Sequence, residues 1–588
     1  MYTSAVPVQP PQPTPPHSRE GTESTPPPKW GRLGGGEQLP SALHLRALFP
    51  HLATHIEELR HWQILDPTSP DVGALVNPGY GCADNKSTSA FVTQAAYLLL
   101  ATGVDDPELL ARMNVAAAYL LAAQRPSGNI DLPSVNIDSG PDTGFTVQQL
   151  CTIFELARRE RRDTGGWLPV LEKLERFIRG AVEGMKIGGF HTPNHRWVIC
   201  SALTQARTIF PDLEVAEVVE SYLAEGYDID PEGAFIERSV GVYDAVNDRS
   251  LLFIQENWDS PAALHATARN LDFCLHLLHA DGTAETGLSR RQDYGTRSVT
   301  AGLVHCYLLH NHFAPTAHFV SAAHWLWDAK AAGENLLWTV YALLKCGDPA
   351  PASAPLPTSY SRHFPHNGLW RIRRERLSAS IFQDATRLLT LVHGQAELTS
   401  LKISQTYFGG ACGHFFGEKL DVAEGVGVLT SGGLRRPRRP GYELPLGRPV
   451  SPQEWNTAFA QRELYELPAA ASTLRVSEAE GGLDFHYRNV QCVDKVAVQI
   501  AFDFPPGGVW ETDDTRTIPA AGQPIFLKRG YGQMRYGSDV IRIGPGAATH
   551  FMWPMRDAET APNHSRVLLT FWTPVDFQFQ IRTFRGVG

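Results

Sequence analysis

The sequence predicts a chain in two parts, an (α/α) helical toroid, complete or incomplete, followed by an antiparallel β-sandwich. Three observations predict it. Residues 39–345 repeat apolar positions at helical spacing in run after run. A Pro/Ala/Ser stretch, "CGDPAPASAPLPTSYS" at 346–361, then breaks that pattern and reads as a linker. From 362 to 588 the apolar runs become short and β-type, separated by turn residues. At 588 residues the chain also exceeds what one ordinary core can bury.

Taken in order, the first 38 residues, "MYTSAVPVQPPQPTPPHSREGTESTPPPKWGRLGGGEQ", are too rich in Pro, Ser, Thr and Gly to build a core and read as a disordered leader. They lack the charged start and apolar centre of a secretory signal, so the expected location is the cytoplasm; a start displaced from the true one would make it periplasmic or secreted. In the helical part, Val147, Leu150, Cys151, Phe154 and Ala157 mark one buried helix face. Loops that place a Gly before an apolar residue recur at Gly128, Gly189, Gly233 and Gly282, roughly 45 to 60 residues apart, one helical hairpin each. Stacked hairpins put equivalent loops on one rim, so the loop at Gly189 and the loop at Gly233 should face each other across a cleft. In the last part "LLTLVHG", "LDFHYRNV", "KVAVQIAFDF", "VIRIG", "VLLTFWTP" and "FQFQIRTF" read as strands.

Composition excludes several classes. Hydrophobic residues at 43% and charged residues at 19% fit an ordinary globular chain. No apolar run is long enough to span a membrane, and a net charge of −10 argues against nucleic-acid binding. The eight cysteines show no CxxC pairing, and several sit in apolar helical stretches, which suits reduced thiols. Arg371, Arg373, Arg374 and Arg376, and again Arg435, Arg436, Arg438 and Arg439, read as solvated surface first and as an anion site second.

Two segments carry chemistry. "GGFHTPNHRW" (188–197) holds Asn194 and His195 at an expected helix start, and "DPEGAFIERSVGVYDAVNDRSL" (230–251) holds Glu237, Arg238, Tyr243 and Arg249. An amide, an imidazole, a phenol and guanidinium groups together suit β-elimination beside a uronic acid carboxylate. Donors offset the carboxylate charge and stabilise the enolate-like intermediate, a base takes the C5 proton, and an acid protonates the departing glycosidic oxygen. No metal or organic cofactor is needed. Each residue also has a plain structural reading: Asn194 as an N-cap, His195 as a core histidine, Tyr243 as a half-buried aromatic, Trp197 as core before sugar platform. Tyr80, Asn136 and Asp142 lie on polar loops at other helix starts and are candidate cleft residues.

On these residues the chain resembles the heparinase II/III-like polysaccharide lyases. Asn194-His195 matches their helix-opening Asn-His pair, and "EGAFIERSVGVY" follows their D-G-x-F-x-E-x-S-x-x-Y pattern at Gly233, Phe235, Glu237, Ser239 and Tyr243, with Glu232 where Asp is usual. The resemblance covers the domain order and these two short motifs. It implies cleavage of a uronic-acid glycan, with Asn194 and His195 neutralising the carboxylate, His195 serving as base in anti elimination, and Tyr243 as base and acid in syn elimination, tuned by Arg238 or Arg249. It also implies a His from the β-domain, for which His414 in "GGACGHFFGEKLDV" is the candidate. Phe416 stands where the pattern has a second His, so the structural zinc of some relatives is not expected. Two other functions fit the same fold: a uronide hydrolase drawing its carboxylates from Asp84, Asp138, Asp142, Glu232 and Glu237, and a glycan-binding protein that does not turn its ligand over.

Overall fold

The computed structural model describes residues 43–331, 336–407, 413–433, 440–555 and 558–586. The Pro-rich leader, Cys412 and the arginines 435, 436, 438 and 439 lie outside the described residues.

The first half is built from helices α1 (Leu45–Arg60), α2 (Asn85–Thr102), α3 (Pro107–Ala122), α4 (Gly140–Arg159), α5 (Leu168–Gly188), α6 (Pro193–Ile209), α7 (Ala216–Ala224), α8 (Tyr243–Trp258), α9 (Pro261–Leu277), α10 (Gly302–Phe313), α11 (Ala317–Leu326) and α12 (Leu336–Cys346). Their packing separates two rings. Helices α2, α4, α6 and α8 pack in sequence side by side, α10 continues from α8, and α12 returns from α10 to α2, where Tyr341 lies over Tyr97 with ring centroids 6.2 Å apart. Outer helices behave as amphipathic helices should: in α5 the buried residues Val170, Leu174, Phe177, Ile178, Ala181, Val182 and Met185 form a single stripe. The inner helices are buried on nearly every face, so the stripe at Val147, Leu150 and Phe154 in α4 is part of a wider buried surface. That surface includes hydroxyl and amide side chains, which must then be paired. Gln148 Nε2 of α4 donates to Ser201 of α6 at 2.6 Å and to Ser250 of α8 at 2.9 Å.

The glycine repeat is real but its membership differs from the expectation. Gly73, Gly128, Gly233 and Gly282 all sit at left-handed φ in the connection that leads into an inner-ring helix. At three of them the backbone touches the following outer helix so closely that a Cβ would meet the carbonyl of Val115, Gly180 or Arg269. Gly189 is not one of the set: it ends α5, and open space surrounds the place its Cβ would take. Two of the turns open short hairpins, β1 (Leu75–Asn77) with β2 (Cys82–Asp84) and β3 (Ile130–Leu132) with β4 (Asn136–Ser139), and these place the starts of α2 and α4.

The second half is a sandwich of an eight-stranded and a nine-stranded sheet. The first sheet opens with an antiparallel meander, β5 (Ser359–Phe364), β6 (Leu369–Arg374), β7 (Leu377–Phe382), β8 (Leu389–His393) and β9 (Ala396–Gln405). The runs read as strands at 482–491, 497–504, 539–544, 565–572 and 576–585 are all strands. Among the described strands pairing is antiparallel except at Pro524–Phe526, which lies parallel to Ser565–Trp572. Trp370, Ile381 and Ile500 from one sheet and Leu474, Phe485 and Ile541 from the other form the shared core. The described cysteines are all free, with Cys151, Cys200, Cys274 and Cys306 buried and Cys82 exposed.

Arg371 and Arg373 of β6 are buried rather than solvated, whereas Arg374 is partly exposed and Arg376 is exposed, as the sequence reading expects. Arg371 is fully buried and caps the end of α9, donating to the carbonyls of His276 at 3.1 Å and of Leu277 and Leu278 at 3.3 Å, and to Ser380 at 2.8 Å. A cation at the negative end of a helix is favoured there, and it fastens the sandwich to the toroid. Glu232 makes a second fastening, accepting from the backbone N–H of His366 and Asn367 at 3.2 Å each.

The glycine turns give a direct test. Gly128→Ala forces a Cβ into a carbonyl at a left-handed φ and should cost at least about 3 kcal/mol of stability. Gly81→Ala, also left-handed but facing open space, should cost about 1 kcal/mol. Urea unfolding followed by far-ultraviolet circular dichroism compares them, and equal losses would refute the role given to the close approach.

Candidate active site

The site is organised by Glu237. After the turn at Gly233 the chain forms a single bridge from Phe235 to Ile229 and turns again at once, the Arg238 N–H donating to the Phe235 carbonyl at 2.9 Å. Phe235 is buried, Ile236 is exposed, and Glu237 is carried inward, 3% exposed. Arg238 at φ 51° then turns the chain, and Ser239 accepts the N–H of Tyr243 at 3.2 Å as α8 begins. The Glu237 carboxylate meets the N-terminus of α6, where it accepts the Asn194 backbone N–H at 3.1 Å and the Asn194 amide at 2.9 Å. Helix N-termini favour a negative charge in that place. Burial pushes the Glu237 carboxyl up, while the Asn194 and Arg291 contacts pull it back down.

A third loop completes the cluster. Arg291 forms an ion pair with Glu237 at 3.5 Å and lies over the Tyr243 ring, 4.6 Å from its centroid. Gln292 donates to the Tyr243 phenol oxygen at 2.8 Å. This loop is anchored by Asp293, which accepts from Ser239 at 2.9 Å and from the Gly241 N–H at 3.1 Å, and by the Arg290 N–H, which donates to the Glu237 carbonyl at 3.0 Å. His195, on the first turn of α6, has its ring 4.6 Å from that of His191, with Nδ1 buried and unpartnered. Burial, then the neighbouring His191 and Arg291, push its imidazole down to about 4, against the pull of Asp142. It is therefore uncharged near neutral pH.

No known family's sequence profile matches this chain, and no curated protein matches it in sequence. Solved structures do. The xanthan lyase of Paenibacillus superimposes with a TM-score of 0.54 at 10% identity, covering 92% of this chain, which spans 57% of that longer protein. Chondroitin AC lyase of Streptomyces coelicolor A3 matches with a TM-score of 0.53 at 13% identity over 95% of this chain and 81% of its own. Heparinase III matches with a TM-score of 0.51 at 9% identity over 86% and 77%.

The fold is that of a heparinase-like polysaccharide lyase.

Within this lyase fold the structure brings together Asn194, His195, Glu237 and Tyr243, and sets Asp142 beside them through its influence on His195. Asn136 donates to Asp142 at 2.8 Å, and Asp142 closes the start of α4 against Ser139. Asn194 is not the cap of α6: Thr192 is, Pro193 takes the first helical position, and Asn194 follows it. Asn194 is also fully buried with its amide already given to Glu237, so it supports the cluster from behind. Tyr80 is exposed on the β1–β2 turn of the same rim.

Other candidates stand elsewhere. Trp197 is fully buried against Tyr227, ring centroids 5.3 Å apart, and offers no face to a sugar. Arg238 reaches the His366 carbonyl of the sandwich at 3.4 Å, and Arg249 lies over Trp338 at 4.2 Å, so neither of them covers Tyr243. His414 contacts Ser404 at 3.3 Å and the Phe416 ring, all within the sandwich. Of the carboxylates a hydrolase would use, Asp84 caps α2, Asp138 bonds Ser127, and Glu232 joins the domains. Among the described residues no group of three or more His, Cys, Asp and Glu side chains is arranged to hold a metal ion. Nor is any described helix long and apolar enough to cross a membrane.

Arg291 and Gln292 went unnoticed in the sequence. The run "LSRRQDYG" that holds them follows the glycine turn at Gly282, the next member of the repeat after Gly233, and the equivalence of those turns was the available signal.

The burial of His195 sets a pH test. Its folded pKa, about 4, lies below the ordinary 6.5, so as pH falls from 6.5 towards 4 the unfolded chain takes up a proton that the folded one refuses. Stability contributed by this group is therefore present above 6.5 and is lost as pH falls to about 4. Imidazole NMR of the wild type against His195→Gln should assign a midpoint near 4; a midpoint near 6.5 would place His195 in solvent.

Proposed function

We propose that the protein is a lyase that cleaves a uronic-acid-containing polysaccharide or oligosaccharide by β-elimination. The observation that carries this reading is the stack of Arg291 on Tyr243, with the Gln292 amide donating to the phenol oxygen. Arg291 supplies the fixed positive charge that a uronate carboxylate needs before its C5 proton can leave. Because Tyr243 accepts from Gln292, its own O–H is free to be given to the departing oxygen. The proton leaves C5, the electron pair forms the C4–C5 double bond, the bond from C4 to the glycosidic oxygen breaks, and that oxygen is protonated. Neutral His195 serves as base when proton and leaving group are on opposite faces, and Tyr243 takes both parts when they share one. Glu237 and Asn194 hold Arg291 and the start of α6 in register, and are positioning residues. Anionic glycans suit this arrangement, and one neighbour of the same fold is a chondroitin AC lyase bound to chondroitin sulphate.

The test is product absorbance. The 4,5-unsaturated uronide is conjugated to its carboxylate and absorbs in the ultraviolet, which a hydrolysis product does not. Against alginate, glucuronan, heparan, chondroitin, hyaluronan and ulvan oligomers, the wild type should raise this absorbance on at least one member. Tyr243→Phe should lower the rate by about 10²–10⁴-fold. Reducing ends without absorbance would transfer the chemistry to the carboxylates, and binding without either product would make the protein a glycan binder.

A further inference from the structure

Beside the Glu237 cluster, between α8 and α10, lies a cavity of about 290 Å³. Ligand pockets begin at about 300 Å³, so this one suits a single sugar ring or its acidic group. Its mouth is edged by Gly241 and the exposed Val242, the two residues immediately before Tyr243. Its lining includes Arg249, Thr300 and His305, each no more than 4% exposed. All three carry unanswered polar atoms: Arg249 Nε, Thr300 Oγ1 and both ring nitrogens of His305 have no hydrogen-bond partner.

A folded chain seldom leaves four such atoms around one space, because each costs free energy when dry and unpaired. Arg249 is the extreme case. No carboxylate pairs with it among the described residues, and its guanidinium lies over the Trp338 ring at 4.2 Å. Burial pushes Arg249 down to about 10, which leaves it charged near neutral pH. Burial, and then the neighbouring Asp244, push the carboxyl of Asp248, its chain neighbour, well up. The α10 helix starts at Gly302 in the same wall and adds the positive end of its dipole.

We propose that this cavity is a subsite for the carboxylate of a second uronic residue, on the sugar next to the one at Tyr243. The inference rests on the lyase reading for what the rest of the chain is, and it makes the substrate one with acidic groups on adjacent sugars. Arg249 and Thr300 donate to the carboxylate oxygens, and His305 gives one ring N–H. Gly241 joins the two places directly, since its N–H is held by Asp293 on the loop that carries Arg291 and Gln292.

Binding of free glucuronate to the full-length protein, measured by isothermal calorimetry with glucose as the neutral control, tests this without needing turnover. The wild type should bind glucuronate and bind glucose much more weakly. Arg249→Gln should lose at least about ten-fold in affinity, as expected for a lost charged hydrogen bond. Thr300→Val should lose less, and Arg249→Lys, which keeps the cation, should recover part of the loss and serves if the Gln variant does not fold. Glucuronate bound equally by wild type, Arg249 variants and Thr300→Val would overturn the subsite, as would no binding to the wild type. The lyase reading fails separately, by absence of the unsaturated product, whatever the calorimetry gives.

Discussion

The carboxylate of Glu237 at the start of α6 is the contact on which the candidate site depends. It binds two N–H groups of one residue, Asn194, and pairs with Arg291 from a loop more than fifty residues further on. Three rim loops, those before α6, α8 and α10, are thereby held to one buried charge. A buried carboxylate is costly by itself; here a helix terminus, an amide and a guanidinium all answer it. Removing any of the three would leave the others with an unbalanced group, which is why the cluster behaves as a unit.

The sandwich takes part in this order from the outside. Arg371 closes the end of α9, and Glu232, five residues before Glu237, is tied to His366 and Asn367. Arg387 of the sandwich lies over Tyr294, 4.7 Å from its ring centroid, three residues past Arg291. Both loops that shape the site are thus pinned from the β side, so the second domain fixes the rim of the first. Joined to the glycine turns that press the rim against the outer helices, this leaves the loops little freedom to drift.

Much of the fold was legible because its signals are local. Helical spacing in α5 and strand alternation at 482–491 follow from which neighbours along the chain are apolar. That the segment at Asn194 meets the segment at Glu237 was legible too, since two motifs in the right order imply facing loops in a toroid. Gly189 was misread because a Gly that ends a helix and a Gly that presses on a neighbouring helix look alike in sequence. Trp197 and Arg371 show the same limit from the other side: an aromatic or a cation has no address until its neighbours across the fold are known.

The sequence by itself determined the two-part architecture, the helix starts that carry polar residues, and the residue types on which elimination chemistry can draw. Tertiary structure decided which arginine serves which group. Arg238, Arg249 and Arg291 are chemically equal, yet one joins the domains, one lines a cavity, and one lies on the Tyr243 ring. The reason is physical: a guanidinium reaches several ångströms from its backbone and acts only at the place where it ends. That place is set by contacts between helices far apart in the chain, which no local pattern encodes.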